Sequence, residues 1–546
     1  MSIHSRKVLF LVLVLFYLWV TDVFAQVDTA WVRRYNGPAD STDSPHAVAV
    51  DHSGNVYVTG SSYGIGTQLD YATVKYYPSG DTAWVRRYNG PGNMDDQAWA
   101  VAVDDSDNVY VTGRSWSTEE GNDYATIKYF SNGDTAWVRR YASPDITWDE
   151  AKCVIVDDSG YVYVSGNSSG WATIKYYPNG DTVWLRRYGF GNMAAVVVDK
   201  SGNIYETGRS ENGADYLTAK CYANGDTAWV RRYNGPGNSW DYAYAIAVDD
   251  SGNIYVAGSV TISESEQDYG TIKYYPDGDT AWIRTYKGPT GWNEAYAVAL
   301  DDSGYVYVTG NSSTDYATIK YYPTGDTVWV RRYNGPAGSS DFARAIVVDK
   351  FKNVYVSGYS WGSGTGADFA TIKYYPNGNT AWVMRYNGPA NSSDAIQFQN
   401  QLAMDDSGYV YVTGDSYGIG TNIDYATIKY VQSPSGVEDE TQVLEKPSEF
   451  SLSQNYPNPF NPSTTIHFTV HRPSSAVRSP VLTTLVVYNV LGETVKTLLS
   501  EPKEAGEYTI RWDGKNDRGE QLSSGVYFYE LKVGDQPSVK KMVLLK

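Results

Sequence analysis

AWAVAVDDSDNVYVTGRSWSTEEGNDYATIKYFSNGDTAWVRRY, residues 98–141, holds four short runs rich in Val, Ile, Thr, Tyr and Trp. Clusters of Gly, Asn, Asp and Ser separate them. Branched and aromatic side chains suit a pleated, half-buried surface, and the clusters suit turns, so the spacing predicts strands over 98–104, 109–113, 124–130 and 135–141. Near-copies of about 45 to 53 residues recur eight times between Asp28 and Tyr430. Four strands at this period form the pattern of a β-propeller blade, in which one twisted sheet is covered only when neighbours pack on both of its faces. Both faces are then core, which accounts for apolar runs in place of strict alternation.

The copies are cut out of phase with the unit they build. Thr-Ala-Trp-Val-Arg-Arg-Tyr at 29–35 is elsewhere a fourth strand, and the array stops at Tyr-Ala-Thr-Ile-Lys-Tyr (425–430), elsewhere a third. An unpaired strand edge invites aggregation, and joining these two ends removes it. The prediction is an all-β, eight-bladed β-propeller closed by pairing of N- and C-terminal strands; two smaller rings or an open array are the alternatives.

Outside the array, residues 1–25 carry Arg6 and Lys7, an apolar stretch from Val8 to Val20 and then Val23-Phe24-Ala25. This reads as a signal peptide cleaved between Ala25 and Gln26, with a retained anchor as the alternative. The propeller is expected over 26–431, with no transmembrane segment in the mature chain. A linker rich in Ser, Pro, Glu and Asp is expected over 432–449 and a second domain over 450–546. Strands expected at 464–470, 481–490, 493–499, 506–512, 526–533 and 538–545 suggest a small β-sandwich. A net charge of −18 argues against nucleic acid as a partner. Cys153 and Cys221 occupy non-equivalent positions and read as separate buried thiols, with a disulfide, which the spacing does not imply, as the alternative in an exported protein.

Loop lengths point to one functional face. The turn between first and second strands always runs Asp plus four residues, as in Asp51 to Asn55 and Asp301 to Tyr305, and the turn between third and fourth strands, as in Pro78-Ser79-Gly80-Asp81, is as constant. The connections on the opposite face vary: Gly60 to Asp70 encloses nine residues, Gly310 to Asp315 four, and Tyr386 to Gln399 is long. Repeat proteins place insertions on the binding face. Eight tryptophans, one per fourth strand from Trp31 to Trp382, read as framework. Trp99, Trp116, Trp148, Trp171, Trp240, Trp292 and Trp361 fall in or beside variable connections, where aromatics suit sugar rings or protein hot spots, or simply lid the blade ends. The ligand-binding candidates are Trp116, Trp148, Trp240, Trp292 and Trp361, with Tyr63 and Tyr417.

No catalytic, cofactor-binding or metal residue is assigned. Gly60-Ser61-Ser62-Tyr63-Gly64 matches the nucleophile-elbow pattern but recurs at 358–362 and 414–418 without a following helix, so it reads as a repeat loop. The Asp-x-Ser-Gly-Asn turns could suggest calcium, yet the second position is His52, Lys200 or Lys350 in three copies, which favours hydrogen-bonded Asx turns. Asp513 to Gly519 reads as a plain turn. Asp96, Asp241 and Asp341 could supply paired carboxylates, but their equivalent placement reads first as repeat architecture.

Stretches such as Ala-Val-Ala-Val-Asp-His-Ser-Gly-Asn-Val-Tyr-Val-Thr-Gly (47–60) resemble the bacterial SBBP β-propeller repeats and, more distantly, NHL-type propellers. The resemblance implies an extracytoplasmic propeller. Gly-Asp-Thr-Ala-Trp is similar to the tryptophan-docking motif of quinoprotein dehydrogenases, whose adjacent-cysteine disulfide is missing here. The C-terminal region, with Leu452-Ser453-Gln454-Asn455-Tyr456-Pro457-Asn458-Pro459-Phe460-Asn461-Pro462, Val487-Tyr488-Asn489-Val490-Leu491-Gly492, Trp512-Asp513-Gly514 and Ser524-Gly525-Val526-Tyr527-Phe528, resembles the type IX secretion sorting domain, which is similar to the FlgD-type Ig-like module. That resemblance implies the outer-membrane secretion machinery as a partner and an extracellular or outer-surface location. The expected role is a non-catalytic adhesion or binding scaffold for a glycan or protein. An extracellular polysaccharide lyase, glycosidase or quinoprotein-like enzyme, or a purely structural surface protein, is the alternative.

Overall fold

The computed structural model describes residues 27–432 and 450–545, apart from 118–120, 145–147, 190, 211–214, 264, 453–454, 456–459, 471–480, 491, 505 and 534–535. The expected leader and nearly all of the expected linker lie outside the described residues. The chain divides into two compact units, Met1–Gly436 and Val437–Lys546. All regular structure among the described residues is β-strand.

The described residues of the first unit form eight antiparallel sheets, numbered here in chain order. In sheets 1 to 7 four consecutive strands lie side by side from an inner to an outer strand. Sheet 2, for example, is Asp96–Val103, Val109–Trp116, Asn122–Tyr129 and Thr135–Tyr141. Burial explains the composition: Val56 to Ser62 are seven buried residues in a row, because both faces of sheet 1 are covered.

Sheet 8 has a different origin. Its outer strand is Val27–Tyr35, which pairs antiparallel with Ile423–Gln432 from Val27↔Gln432 to Tyr35↔Tyr425. Sheet 8 packs on sheet 1 through a core that includes Trp31, Val48, Val56, Tyr76, Tyr411 and Tyr425.

One contact joins successive sheets. The outer-strand tryptophan donates its indole N–H to a carbonyl in the third-to-fourth-strand turn of the next sheet: Trp31 to Pro78, Trp84 to Ser131 and Trp329 to Pro376, each at 3.1 Å. The turn presses onto the indole. Gly80 there has φ +86°, and a Cβ on it would lie 2.8 Å from Trp31 Cγ, so glycine is required twice over. Trp382 is the exception: its Nε1 is buried without a hydrogen-bond partner. The counterpart of Pro78 in sheet 8 is Gln432, which continues a strand opposite Val27 in place of turning. Third-strand tyrosines add a second tie, as in Tyr71 OH to Ala125 O at 3.1 Å and Tyr425 OH to Ala72 O at 3.2 Å.

The second unit pairs Phe450–Leu452, Thr464–Val470 and Gly506–Trp512 in one sheet, and Thr494–Lys503, Val481–Tyr488, Gly525–Val533 and Gln536–Leu544 in another. Ile466, Phe468 and Trp512 meet Leu485, Val487, Tyr529 and Leu531 between them. Both cysteines are free, Cys221 fully buried and Cys153 partly so.

Deleting residues 26–36 strips sheet 8 of its outer strand and sheet 1 of the Trp31 contact. The melting temperature measured by calorimetry is expected to fall sharply; an unchanged value would show that this strand is not integral to the fold.

Candidate functional site

The constant turns are self-contained. Asp51 Oδ1 accepts the N–H groups of Ser53 and Asn55 at 2.9 and 2.8 Å, while Oδ2 accepts Asn55 Nδ2 and the Tyr57 hydroxyl, both at 2.8 Å. The same pattern recurs at Asp104, Asp199 and Asp249. These carboxylates serve their own turns as Asx motifs. Among the described residues no group of three or more His, Cys, Asp or Glu is placed to hold a metal ion.

The acids and serines of the opposite face are also committed to the framework. Asp96 accepts Gly90 N at 2.6 Å and Trp116 N at 3.1 Å, and Asp341 accepts Gly335 N and Trp361 N at the same distances. Asp241 accepts Gly235 N at 2.5 Å and Thr261 N at 2.7 Å. Burial raises all three pKa values, and these backbone N–H bonds pull the other way. The central serines of the three elbow-like loops, Ser62, Ser360 and Ser416, each accept a guanidinium hydrogen bond, from Arg87, Arg385 and Arg34. Those arginines also pair with Asp70, Asp368 and Asp424 at 2.7 to 2.8 Å. A serine held in this way is a structural acceptor.

Variation is concentrated where the inner strands meet. In sheets 1 to 7 the inner strand carries a β-bulge at one equivalent position, for example between Ala98 and Ala100, and between Ala343 and Ala345. The bulged residue is His46, Trp99, Lys152, Ala194, Tyr244, Tyr296 or Arg344, while its neighbours are mostly alanine. A bulge leaves one residue outside the ladder and re-aims its side chain. Sheet 8 carries an insertion at this point. Eight positions separate Asp96 from Asp104, but eleven separate Asp394 from Asp405.

That insertion corrects the expectation of a long surface connection between Tyr386 and Gln399. Pairing is kept on both sides, Ala395 with Asp415 and Leu402 with Val412, so the extra residues leave the sheet edge and enter the interior. Asn400 O accepts Val48 N of sheet 1 at 2.8 Å, and Gln399 Nε2 donates to Tyr244 O of sheet 5 at 3.2 Å. Phe398 lies edge-on to His46 and Trp99, at 5.0 and 5.5 Å. Together with inner-strand residues of sheets 1 to 7, this segment lines a central cavity of about 480 Å³, within the range of small-ligand sites.

The cavity is aromatic and cationic. His46 stacks on Trp99 at 4.2 Å, and Lys152 lies 4.4 Å above the Trp99 ring while pairing with Glu150 at 2.7 Å. Arg344 lies 4.2 Å from the Tyr296 ring. A stacked series leads from the surface inward: Trp240 to Tyr242 at 6.3 Å, Tyr242 to Tyr244 at 6.0 Å, then Tyr244 to Tyr296 at 5.1 Å. Burial pushes the His46 pKa down to about 4, leaving a neutral ring at physiological pH. Burial pushes Asp415 up to about 7, against hydrogen bonds from Ser44 Oγ at 2.6 Å and Gln397 Nε2 at 2.7 Å.

The sequence candidates divide into distinct environments. Trp148, Trp240, Trp292 and Trp361 are between 41 % and 56 % exposed. Trp116 is half-buried and meets Trp148 edge-on at 6.3 Å, with Arg114 lying 5.0 Å over the Trp148 ring. Tyr63 and Tyr417 are half-buried at the ends of second strands. Trp171 differs from the expected loop aromatic: it is fully buried, because it starts a third strand where Tyr71 and Tyr124 stand in other sheets. Trp99 lies in an inner strand at the cavity wall, not in a surface connection. Sequence reasoning missed the bulge series, although one variable position between two alanines was its signal.

The SBBP β-propeller repeat family matches residues 30–66, 83–119, 228–259 and 328–364, and the FlgD Ig-like domain matches residues 461–536. Among solved structures the chain is similar to PorZ, described as an essential surface component of the type-IX secretion system of Porphyromonas gingivalis, at 15 % identity and a TM-score of 0.38. The match covers 90 % of this chain and 64 % of PorZ, so the chain spans less than two thirds of that protein. It is also similar to the Dos1 propeller (10 % identity, TM-score 0.48, covering 74 % of this chain and 96 % of that one). Sqt1 from Chaetomium thermophilum is similar at 11 % identity and a TM-score of 0.46, covering 75 % of this chain and all of that one. No curated protein matches the chain in sequence.

Asp415 sets a pH dependence. Its folded pKa lies above the unfolded value of 3.8, so its contribution to stability is full below that value and is lost as pH rises through about 7. Wild-type protein is expected to lose stability relative to Asp415→Asn between about pH 4 and 7, read from paired urea titrations; His46 contributes equally to both proteins and cancels. A pH-independent difference would contradict burial of a neutral carboxyl at this site.

Proposed function

We propose that this chain, built of SBBP-type β-propeller repeats and a C-terminal FlgD Ig-like domain, is a secreted or cell-surface recognition scaffold without catalytic activity. The eight sheets close into one ring through the pairing of residues 27–35 with 423–432. The ligand, a glycan or a protein segment, binds at the variable face and the central cavity beneath it. The Ig-like domain directs export through a type IX-like route and attachment to the outer surface, after the leader has been removed near Ala25.

One observation carries this reading. Inner strands that mostly carry alanine on either side of the bulge differ at the bulged position, and His46, Trp99, Lys152, Tyr296 and Arg344 there line the cavity. Packing explains the constant residues and gives no reason for His, Trp, Lys, Tyr and Arg at that place. Aromatic and cationic groups grouped around a concavity are the equipment of binding sites. The non-catalytic part of the reading is supported by the acids and serines that resemble catalytic groups, which are engaged in loop and inter-sheet hydrogen bonds.

Glycan-array binding by the mature protein, run beside a reducing-sugar release assay on the same glycans, tests this reading. Binding without turnover is expected, and weakened binding in Trp240→Ala and Trp99→Ala. Turnover would replace the scaffold with an enzyme, and absence of binding to glycans and surface proteins alike would favour a purely structural role.

A further inference from the structure

Two sets of arginines in the propeller unit contrast. Arg34, Arg87, Arg140, Arg332 and Arg385 recur at one framework position, and each pairs with an aspartate at 2.7 to 2.8 Å. Arg344, at the bulge of sheet 7, has no ion-pair partner among the described residues. Its guanidinium lies 4.2 Å from the Tyr296 ring, 5.5 Å from Phe342 and 5.9 Å from Tyr359. Its Nε is buried with no hydrogen-bond partner. Arg114 repeats the pattern at the rim: it lies over Trp148 at 5.0 Å, and its Nε is also buried and unpartnered.

A guanidinium stacked on aromatic faces is held in orientation while its in-plane N–H edge stays free for a carboxylate. A buried donor without an acceptor is destabilising, and a carboxylate bonded to the terminal N–H groups of the same guanidinium offsets that cost. Among the described residues no acid pairs with Arg344. Acids beside two of the other cavity residues are occupied: Glu150 binds Lys152 at 2.7 Å, and Glu294 accepts the Tyr296 hydroxyl at 2.5 Å. The cavity of about 480 Å³ has room for roughly one to two sugar rings.

We infer that the central cavity is a subsite for an acidic saccharide, a uronate whose carboxylate is taken by Arg344 while its hydroxyls meet the polar side chains of the lining. This inference rests on the recognition-scaffold reading and narrows its ligand. Gln397, Gln399 and Asn400 in the cavity lining offer hydrogen-bonding groups that suit a ring bearing hydroxyls better than an acidic peptide side chain, which has only its carboxylate to bond.

Calorimetric titration of the mature protein with trigalacturonate, its methyl ester and hexaglutamate tests the inference. Trigalacturonate is expected to bind, the methyl ester at least tenfold more weakly, and hexaglutamate more weakly than either. Arg344→Gln is expected to lose at least tenfold for the acid and little for the ester, with Arg344→Lys between wild type and Arg344→Gln. Wild-type affinity for the acid should fall with added salt, a readout that needs no variant. Equal binding of acid and ester would overturn the inference while leaving glycan recognition standing. Preference for hexaglutamate would make the site a receptor for acidic peptide, and trigalacturonate failing to bind would remove the acidic subsite whatever the array shows.

Discussion

A single four-stranded sheet here is apolar on both faces, and everything else in the propeller unit follows from covering those faces. Every outer-strand tryptophan except Trp382 hands its indole N–H to a turn carbonyl of the next sheet, as Trp31, Trp84, Trp137 and Trp229 do. The contact needs a glycine with positive φ at the tip of the receiving turn, since a side chain would collide with the indole. It fixes the fourth strand, the third-to-fourth turn and the spacing between sheets together. A constant face is therefore a mechanical requirement of stacking.

Once that framework is set, freedom remains at the inner edge of each sheet, away from the indole contacts. Inner strands converge on the central cavity, and the bulge leaves one residue per sheet outside the ladder. Changing that residue alters the cavity wall without disturbing the indole contacts at the other edge of the sheet. The three-residue excess in sheet 8 follows the same logic: flanking pairs hold register, and the surplus is expelled toward open space. Stability and recognition thus occupy opposite edges of each sheet.

Much of this was legible in the chain because repetition turns physical requirements into periodic residues. The four strands of 98–141 appear within a few residues of their expected ends, and the out-of-phase segment 29–35 pairs with the segment its phase implies. The cavity was less legible. Loop length varies visibly along the chain, whereas the variation that shapes the cavity is in residue identity within Ala98-Trp99-Ala100 and its equivalents, where a bulge is invisible to strand periodicity. Trp171 was grouped with loop aromatics although it stands at the Tyr71 position, a fully buried place in every sheet where it is tyrosine. In the C-terminal unit the extra strand Phe450–Leu452 pairs with the end of Thr464–Val470, and a three-residue pairing leaves too little pattern to read beforehand.

The central claim is that the bulged residues serve recognition and contribute little to stability. Replacing His46, Trp99, Lys152, Tyr244, Tyr296 and Arg344 together by alanine, then recording thermal unfolding and glycan-array binding on one preparation, tests it most directly. The account predicts cooperative unfolding within a few degrees of wild type and complete loss of array binding. Loss of cooperative unfolding, or binding that survives, would contradict it.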